Sequence, residues 1–374
     1  MPRAVLAVAL CACGRLDFDP LRDAAAADCA PFMLADAQVN PSSQLELHPI
    51  GATGTVQYTL AGPGMLVGAM FASPPYRSTS MITATDAAGC SATATITTVG
   101  GTLFYLGGTF NGVPTAEVWR SSDALTWTRV GTLPEQRASG AGVVFHDAMW
   151  LIGGSTDLSP TGQTNVWRST DGAAWTNVAA FPGPVTDCQA IGFHDRLWLV
   201  CGHGAPGSVW STADGITWAR EGMLPGAYHG GDLLVLGDQL VYEGGHDDTN
   251  YFNFELASSD GGGWTNIGTL PSKREFQAVA VHDNLLVLAG GTDAVGYLGD
   301  SFHSSDGISW IAGGALPAQR MYSQLQWLNG RFYLVGGTDG GDVWSTADAS
   351  AWRVETTNLP TPRYAGALLE YTPP

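Results

Sequence analysis

The sequence predicts an all-β fold in which one four-stranded unit is repeated six times, and three observations support it. The 374 residues include 49 glycines and 13 tryptophans, and only 13% are charged. In each repeat, an apolar run ends in glycine, as in LWLVCG, LLVLAGG and FYLVGG. Six tryptophans follow an aspartate by four positions, at steps of 48, 43, 46, 46 and 42 residues. A period in the mid-forties is typical of β-propeller blades. The pairs are Asp123 and Trp127, Asp171 and Trp175, Asp214 and Trp218, Asp260 and Trp264, Asp306 and Trp310, and Asp348 and Trp352.

The two ends of the repeated region predict how the ring closes. The first unit, from Thr102, lacks an inner strand, and the last residues, RYAGALLEYTPP, form an inner strand without the rest of a blade. The C-terminal strand should therefore complete the first blade, which removes two open strand edges. The alternative gives that place to CSATATITTV, which ends at residue 99. We thus expect residues 100–374 to form a six-bladed β-propeller closed by the C-terminal strand.

Residues 29–99 have a different pattern, of short alternating runs between glycine and proline. The segment TSMITATDAAGCSATATITTV predicts a hairpin, with Ile82, Ala84, Ala92, Ala94 and Ile96 buried. About 70 residues of this kind predict a small Ig-like β-sandwich. The segment resembles bacterial Ig-like and PKD-type spacer modules.

The N-terminus resembles a bacterial lipoprotein signal. Residues 1–12 carry one arginine and a short apolar stretch, and Leu10-Cys11-Ala12-Cys13 is similar to a lipobox. The resemblance implies a lipid on Cys13, a tether over residues 13–28, and a place in the bacterial cell envelope, periplasmic or at the cell surface. The alternative is an N-terminus without structure or signal.

Four cysteines remain beyond the predicted lipidation site, an even number that suits an oxidising compartment. Cys29 and Cys90 bracket the first domain and are predicted to form one disulfide. Cys188 and Cys201 flank a hairpin in which Cys188 should lie directly opposite Cys201, close enough for a second. Two buried thiols are the alternative for this pair.

The net charge of −18 argues against nucleic acid as a partner, because such a surface repels phosphate. Arginines recur just after the proline that ends a blade, and four guanidinium groups around one mouth would suit an anionic ligand. The predicted ligand-binding residues are Arg137, Tyr228, Arg274, Arg320, Tyr322 and Arg363. Alternatively, these arginines pair with acids in neighbouring loops, namely Asp157, Asp247, Asp293 and Asp339.

A second group of candidate residues lies between the third and fourth blades. His203 and His246 occupy the same repeat position, and His229 begins the strand between them. Together with Asp247 or Asp248 they could hold a divalent metal, although loop histidines are usually only solvated. We therefore expect neither a bound metal nor another cofactor.

The apolar runs before paired glycines resemble those of kelch-type propellers, including the central domain of galactose oxidase. The turns STDGAAW, TADGITW and SSDGISW are similar to sialidase Asp-boxes but are one residue shorter. Periplasmic sialic-acid mutarotases are also six-bladed kelch propellers. That resemblance implies acid–base roles for Asp187, His229 and Glu275. A sialidase-like hydrolase would instead need an arginine triad such as Arg274, Arg320 and Arg363.

The residues favour a lipid-anchored, extracytoplasmic binding or scaffold protein over an enzyme. We expect a monomer that touches the membrane only through its anchor. Its partner at the propeller mouth would be an anionic small molecule, a glycan or an acidic peptide. A sugar-active propeller enzyme, a mutarotase or a sialidase-like hydrolase, is the alternative.

Overall fold

The computed structural model describes residues 32–39, 44–73, 78–98, 100–338, 340–356 and 361–372. Within these ranges every regular element is a β-strand, and no helix that could span a membrane is found. The predicted signal peptide, tether, Cys13, Cys29 and Asp339 lie outside the described residues.

The first part of the chain forms two sheets that share one core. The strands are β1 (Ala37–Val39), β2 (Gln44–Glu46), β3 (Gln57–Ala61), β4 (Met65–Val67), β5 (Met70–Ala72), β6 (Ser78–Thr85) and β7 (Ser91–Thr98). One sheet has the order β1-β7-β6-β3, with β1 parallel to β7, and the other has the order β2-β5-β4. Phe71 of the second sheet packs with Ile82 and Ile96 of the first. The predicted hairpin is present as β6 and β7, and its predicted apolar face is buried, with Ala92 only partly so.

Beyond residue 100, the chain folds into repeated four-stranded antiparallel sheets, numbered here as sheets 1 to 6. Sheet 1 contains β8 (Leu103–Leu106), β11 (Glu117–Ser121) and β12 (Thr128–Thr132), and a small hairpin of β9 (Thr109–Phe110) and β10 (Val113–Pro114) interrupts it. Sheet 2 contains β13 (Ala141–Phe145), β14 (Ala148–Ile152), β15 (Gln163–Ser169) and β16 (Thr176–Val185). Sheet 3 contains β17 (Gln189–Phe193), β18 (Arg196–Val200), β19 (Ser208–Thr212) and β20 (Ala219–Met223).

The later sheets repeat the same order. Sheet 4 contains β21 (Asp232–Leu236), β22 (Gln239–Glu243), β23 (Phe254–Ser258) and β24 (Thr265–Thr269). Sheet 5 contains β25 (Ala278–His282), β26 (Leu285–Ala289), β27 (Ser301–Ser304) and β28 (Ile311–Ala312). Sheet 6 contains β29 (Gln324–Leu328), β30 (Arg331–Val335), β31 (Val343–Thr346) and β32 (Arg353–Thr356), and β33 (Ala367–Glu370) follows it. The second strand of each sheet is largely buried on both faces, which explains its mainly apolar sequence.

The C-terminal strand completes sheet 1, as predicted. β33 pairs antiparallel with β8, with Ala367 opposite Leu106 and Glu370 opposite Leu103. The alternative is wrong, because β7 pairs with β1 and β6 instead. The innermost strands β13, β17, β21, β25, β29 and β33 contact one another in this cyclic order, and β33 contacts β13. This arrangement is the one expected of a β-propeller, and it leaves one set of loops around a central opening, called the mouth below.

The aspartate of each repeat stabilises its own turn, as expected for this residue type. Asp214 accepts hydrogen bonds from the backbone N–H groups of Thr217 and Ile216, at 2.7 and 2.8 Å. These bonds favour the charged carboxylate and lower the pKa of Asp214 to about 2. The repeated aspartates therefore have a structural role.

One of the two predicted disulfides can be compared with the structure. Cys188 and Cys201 are buried free thiols, so the prediction of a bond between them is wrong and the alternative is correct. The register places them opposite each other, and the Cys188 thiol interacts both with Cys201 and with the carbonyl oxygen of Thr186, the latter at 3.8 Å. Cys90 is disulfide-bonded, but Cys29 lies outside the described residues, so that pairing stays a prediction.

Candidate functional site at the mouth

Six equivalent residues, one per sheet, form a ring around the mouth. Each has a positive φ, between 51° and 67°, and five of them donate a backbone hydrogen bond to the preceding member of the ring. The members are Ser139, Asp187, Gly230, Phe276, Tyr322 and Ala365. The N–H of Gly230 makes no such bond to Asp187 among the described residues. The ring of hydrogen bonds is therefore open between sheets 3 and 4.

Most of the titratable side chains at the mouth lie beside this opening. The residue before each ring member pairs with the residue that follows the apolar run of the same sheet. These pairs are Thr186 with His203, His229 with His246, and Glu275 with Thr292 in sheets 3 to 5, and Ala138 with Ser155 and Tyr364 with Thr109 elsewhere. The backbone register thus brings imidazoles and a carboxyl group together on one side of the mouth.

The side chains of this cluster contact one another directly. His203 Nδ1 lies 3.2 Å from Asp187 Oδ2, and His229 Nε2 lies 3.1 Å from Asp248 Oδ1. His229 Nδ1 is 3.8 Å from Glu275 Oε2, and neither of these two buried atoms has a hydrogen-bond partner among the described residues. The rings of His203 and His229 are 4.3 Å apart. Three of the predicted residues, Asp187, His229 and Glu275, therefore do lie together.

Burial and charge shift the pKa values of these groups in different directions. Burial, helped by the charge of Asp187, raises the pKa of Glu275 to about 7. Burial and the neighbouring His203 lower the pKa of His229. The hydrogen bond to Asp187 raises the pKa of His203. Groups that exchange protons near neutral pH are thus concentrated in one place.

Aromatic side chains form a wall of the mouth beside this cluster of histidines and carboxyl groups. Phe276 and Tyr322 stack with centroids 4.0 Å apart, and Tyr364 follows Tyr322 at 6.1 Å. A cavity of about 90 Å³ lies within the ring and is lined by Asp187, Phe276 and Tyr322, among others. The mouth therefore combines polar groups with aromatic surface, as small-molecule sites do.

The four predicted arginines do not face the mouth, so the prediction that they bind a ligand is wrong. The side chains of Arg137, Arg274, Arg320 and Arg363 are 1%, 0%, 3% and 3% exposed. Arg274 donates two hydrogen bonds of 3.0 Å to Asp300, and Arg363 bonds Glu117. They are buried because each guanidinium has carbonyl, carboxylate or aromatic partners within the sheets. Those partners also differ from the predicted acids, of which Asp157, Asp247 and Asp293 bond the backbone of their own loops.

Other predicted residues also differ in detail. Tyr228 packs on Phe254, with centroids 4.6 Å apart, and does not line the cavity within the ring, so its role in ligand binding stays a prediction. Of the two predicted alternatives, Asp248, with a φ of 68°, contacts His229, whereas Asp247 bonds the backbone of its own loop. Phe276 is not among the predicted residues, although it occupies the repeat position of Tyr322, two residues after an arginine.

No family model matches the chain, and no curated protein matches it. Among solved structures, the chain is similar to the structure of YjhT, with a TM-score of 0.55 and 13% sequence identity. The match covers 67% of this chain and 96% of that chain. At this identity the likeness shows a shared fold and nothing about the reaction.

Proposed function

We propose that this protein is a carbohydrate-active enzyme that opens and recloses the ring of a reducing sugar, and so interconverts its anomers. The fold would be a six-bladed, kelch-type propeller behind an Ig-like spacer. Asp187 and Glu275 lie beside the stacked rings of Phe276 and Tyr322, where the ring of backbone hydrogen bonds is open between sheets 3 and 4. This placement is the observation that carries the proposal. This favours the sugar-active alternative over a binding or scaffold module.

Ring opening of a hemiacetal needs one proton delivered and one removed. The ring oxygen gains a proton as its bond to the anomeric carbon breaks, and the anomeric hydroxyl loses a proton as the carbonyl forms. Asp187 and Glu275 supply the acid and the base, since each keeps one carboxylate oxygen that makes no hydrogen bond among the described residues. His203 holds the carboxyl group of Asp187 in position. Reclosure on the other face of the carbonyl reverses both transfers.

The charges at the mouth favour a neutral sugar. Asp187, Asp248 and Glu275 are acidic, and the four arginines are buried within the sheets. An anionic sugar such as sialic acid would find no free guanidinium among these residues and would be repelled by the acids. The apolar face of a neutral sugar ring can instead pack on Phe276 and Tyr322.

Anomer exchange by the full chain, measured by NMR across a panel of neutral reducing sugars and sialic acid, tests this proposal. We expect acceleration with at least one neutral sugar, and a loss of kcat/KM of roughly 10²–10⁴-fold in Glu275→Gln. Asp293→Asn is the matched control, because its carboxylate only bonds the backbone of its own loop. Full activity in Glu275→Gln, or no acceleration with any neutral sugar, would contradict the proposal.

We also propose that the protein is exported and anchored in the cell envelope through Cys13. The disulfide at Cys90 supports export, because disulfides persist in oxidising compartments. Incorporation of labelled palmitate tests the anchor, and a chain that takes up no label would rule it out.

A further inference from the structure

We infer that the mouth holds a site for one divalent transition-metal ion, bound by His203, His229 and Asp248. One ring nitrogen of each histidine and one carboxylate oxygen of Asp248 all lie within 4.8 Å of one another. Two imidazoles and a carboxylate are typical ligands of Zn²⁺ and similar ions. This inference does not depend on the proposed reaction.

The hydrogen bonds of His203 leave its second nitrogen suited to a metal. Its Nδ1 lies 3.2 Å from Asp187 Oδ2, which can only accept when charged, so Nδ1 carries the proton. The lone pair is then on Nε2. Histidines that bind metals nearly always donate their other N–H to a carboxylate or a carbonyl group, and Asp187 has this role here.

A neutral His229 ring cannot donate a hydrogen bond to both of the carboxylates that it faces. Its two nitrogens face two carboxylates, Asp248 at Nε2 and Glu275 at Nδ1, but a neutral ring has only one proton. With that proton on Nε2, Nδ1 and Glu275 Oε2 are both buried acceptors without a partner. A cation at Nε2 would move the proton to Nδ1, which faces Glu275 Oε2 at 3.8 Å, and would bind Asp248 at the same time.

A second group, His229, His246 and Glu275, also has ligand atoms within 4.8 Å of one another, but it is less suited to bind a metal. His246 Nδ1 accepts a hydrogen bond of 3.2 Å from the backbone N–H of Asp248. A neutral His246 therefore carries its proton on Nε2, and neither nitrogen has a free lone pair. His246 instead helps to position the Asp248 loop.

The site is open to solvent, as sites that exchange a water or a ligand are. The side chain of Asp248 is 82% exposed and that of His203 is 30% exposed, while His229 is buried beneath them. Three protein ligands leave at least one position on the ion for water or for a hydroxyl of a bound molecule. The site therefore differs from a closed structural zinc site.

Metal binding to the full chain, purified without a polyhistidine tag and stripped with a chelator, tests the inference. We expect one Zn²⁺ per chain by calorimetry, and a Co²⁺ spectrum without a sulfur charge-transfer band. His203→Gln and Asp248→Asn alter partly exposed ligands, so both should fold and should weaken binding by about 100-fold or more. Asp187→Asn should weaken it by ~10–100-fold, as loss of such an outer partner does.

His146→Gln is the matched control, because that histidine lies in a turn, 2.7 Å from Asp195, away from the mouth. Its Zn²⁺ affinity should equal that of the unmodified chain. The inference is overturned if no stoichiometric ion binds, if binding persists in both ligand variants, or if Cys201→Ser abolishes it. Metal binding without anomer exchange would refute the proposed reaction alone, and exchange in a chain that binds no ion would refute the metal site alone.

Discussion

Each of the four buried arginines contacts a polar partner, and the four partners occupy the same position of the repeat. In sheets 1, 2, 5 and 6 a polar residue at the start of the third strand, or within two positions of it, contacts the arginine. The pairs are Arg363 with Glu117, Arg137 with Asn165, Arg274 with Asp300 and Arg320 with Asp342. An aromatic ring two residues later stacks on each guanidinium. In sheet 4 both positions are aromatic, Tyr228 and Phe254.

These pairs predict that the buried arginines stabilise the fold. Arg274→Met should lower the free energy of unfolding by about 3 kcal/mol, because it leaves Asp300 and the carbonyl of Gly290 without their buried partner. Chemical denaturation of both proteins at one pH measures the difference.

Arg353→Met is the control for Arg274→Met. Arg353 pairs with Glu355 but its side chain is 64% exposed, and pairs of this kind contribute less than ~1 kcal/mol. Equal losses in the two variants would mean that the burial of Arg274 has no energetic weight.

Sheet 4 differs from the other sheets by a row of three acids across its strands. Asp232 lies opposite Glu243, and Glu243 lies opposite Glu255, in the register of β21, β22 and β23. Glu243 and Glu255 are fully buried, and neither oxygen of the Glu243 carboxyl has a hydrogen-bond partner among the described residues. Burial raises the pKa of Asp232 to about 8 and that of Glu255 to about 7. It also raises the pKa of Glu243 well above its usual value, although Arg274 opposes this shift.

The raised pKa values predict a protein that is less stable at alkaline pH. The folded state keeps protons that the unfolded chain loses above about pH 4, so the free energy of unfolding should fall as pH rises from about 4 to about 8. The turn aspartates act oppositely and only below about pH 4, because their pKa values are lowered. Thermal unfolding across this range measures the slope.

Glu243→Gln isolates one member of the row. The neutral amide cannot ionise, so we expect the variant to gain ~2 kcal/mol at pH 8 and to show a shallower pH dependence. Glu46→Gln, at an exposed side chain, should leave the slope unchanged. A Glu243→Gln variant with the slope of the unmodified protein would show that this carboxyl group is not protonated in the fold.

The cyclic arrangement of the six sheets could be predicted from the sequence because its features are repeated in every sheet. Six aspartate turns and an unpaired final strand sufficed to predict the four-stranded sheets and their closure by β33. The mouth was predicted less well, since adjacent residues there have different roles. Asp247 caps its loop while Asp248 contacts His229, and no periodic pattern separates them. The arginine pairs could have been found by comparing the repeats, since the residue that accompanies arginine is Glu, Asn or Asp.

Close packing between neighbouring sheets holds the ring of sheets together, and the Asp-Gly turns are points of close approach. Gly215, with a φ of 73°, lies against the ring of Trp150 in the adjacent sheet, and a Cβ there would overlap that ring. Gly215→Ala should therefore cost ~1–2 kcal/mol for the left-handed backbone and a further ~1–3 kcal/mol for overpacking. Gly237→Ala is the matched control, because Gly237 has a φ of 58° and no heavy atom near the added Cβ, so only the backbone cost applies. The difference between the two losses, measured by chemical denaturation, is the contribution of the contact between sheets, and a difference near zero would show that the sheets can separate locally to accept the methyl group.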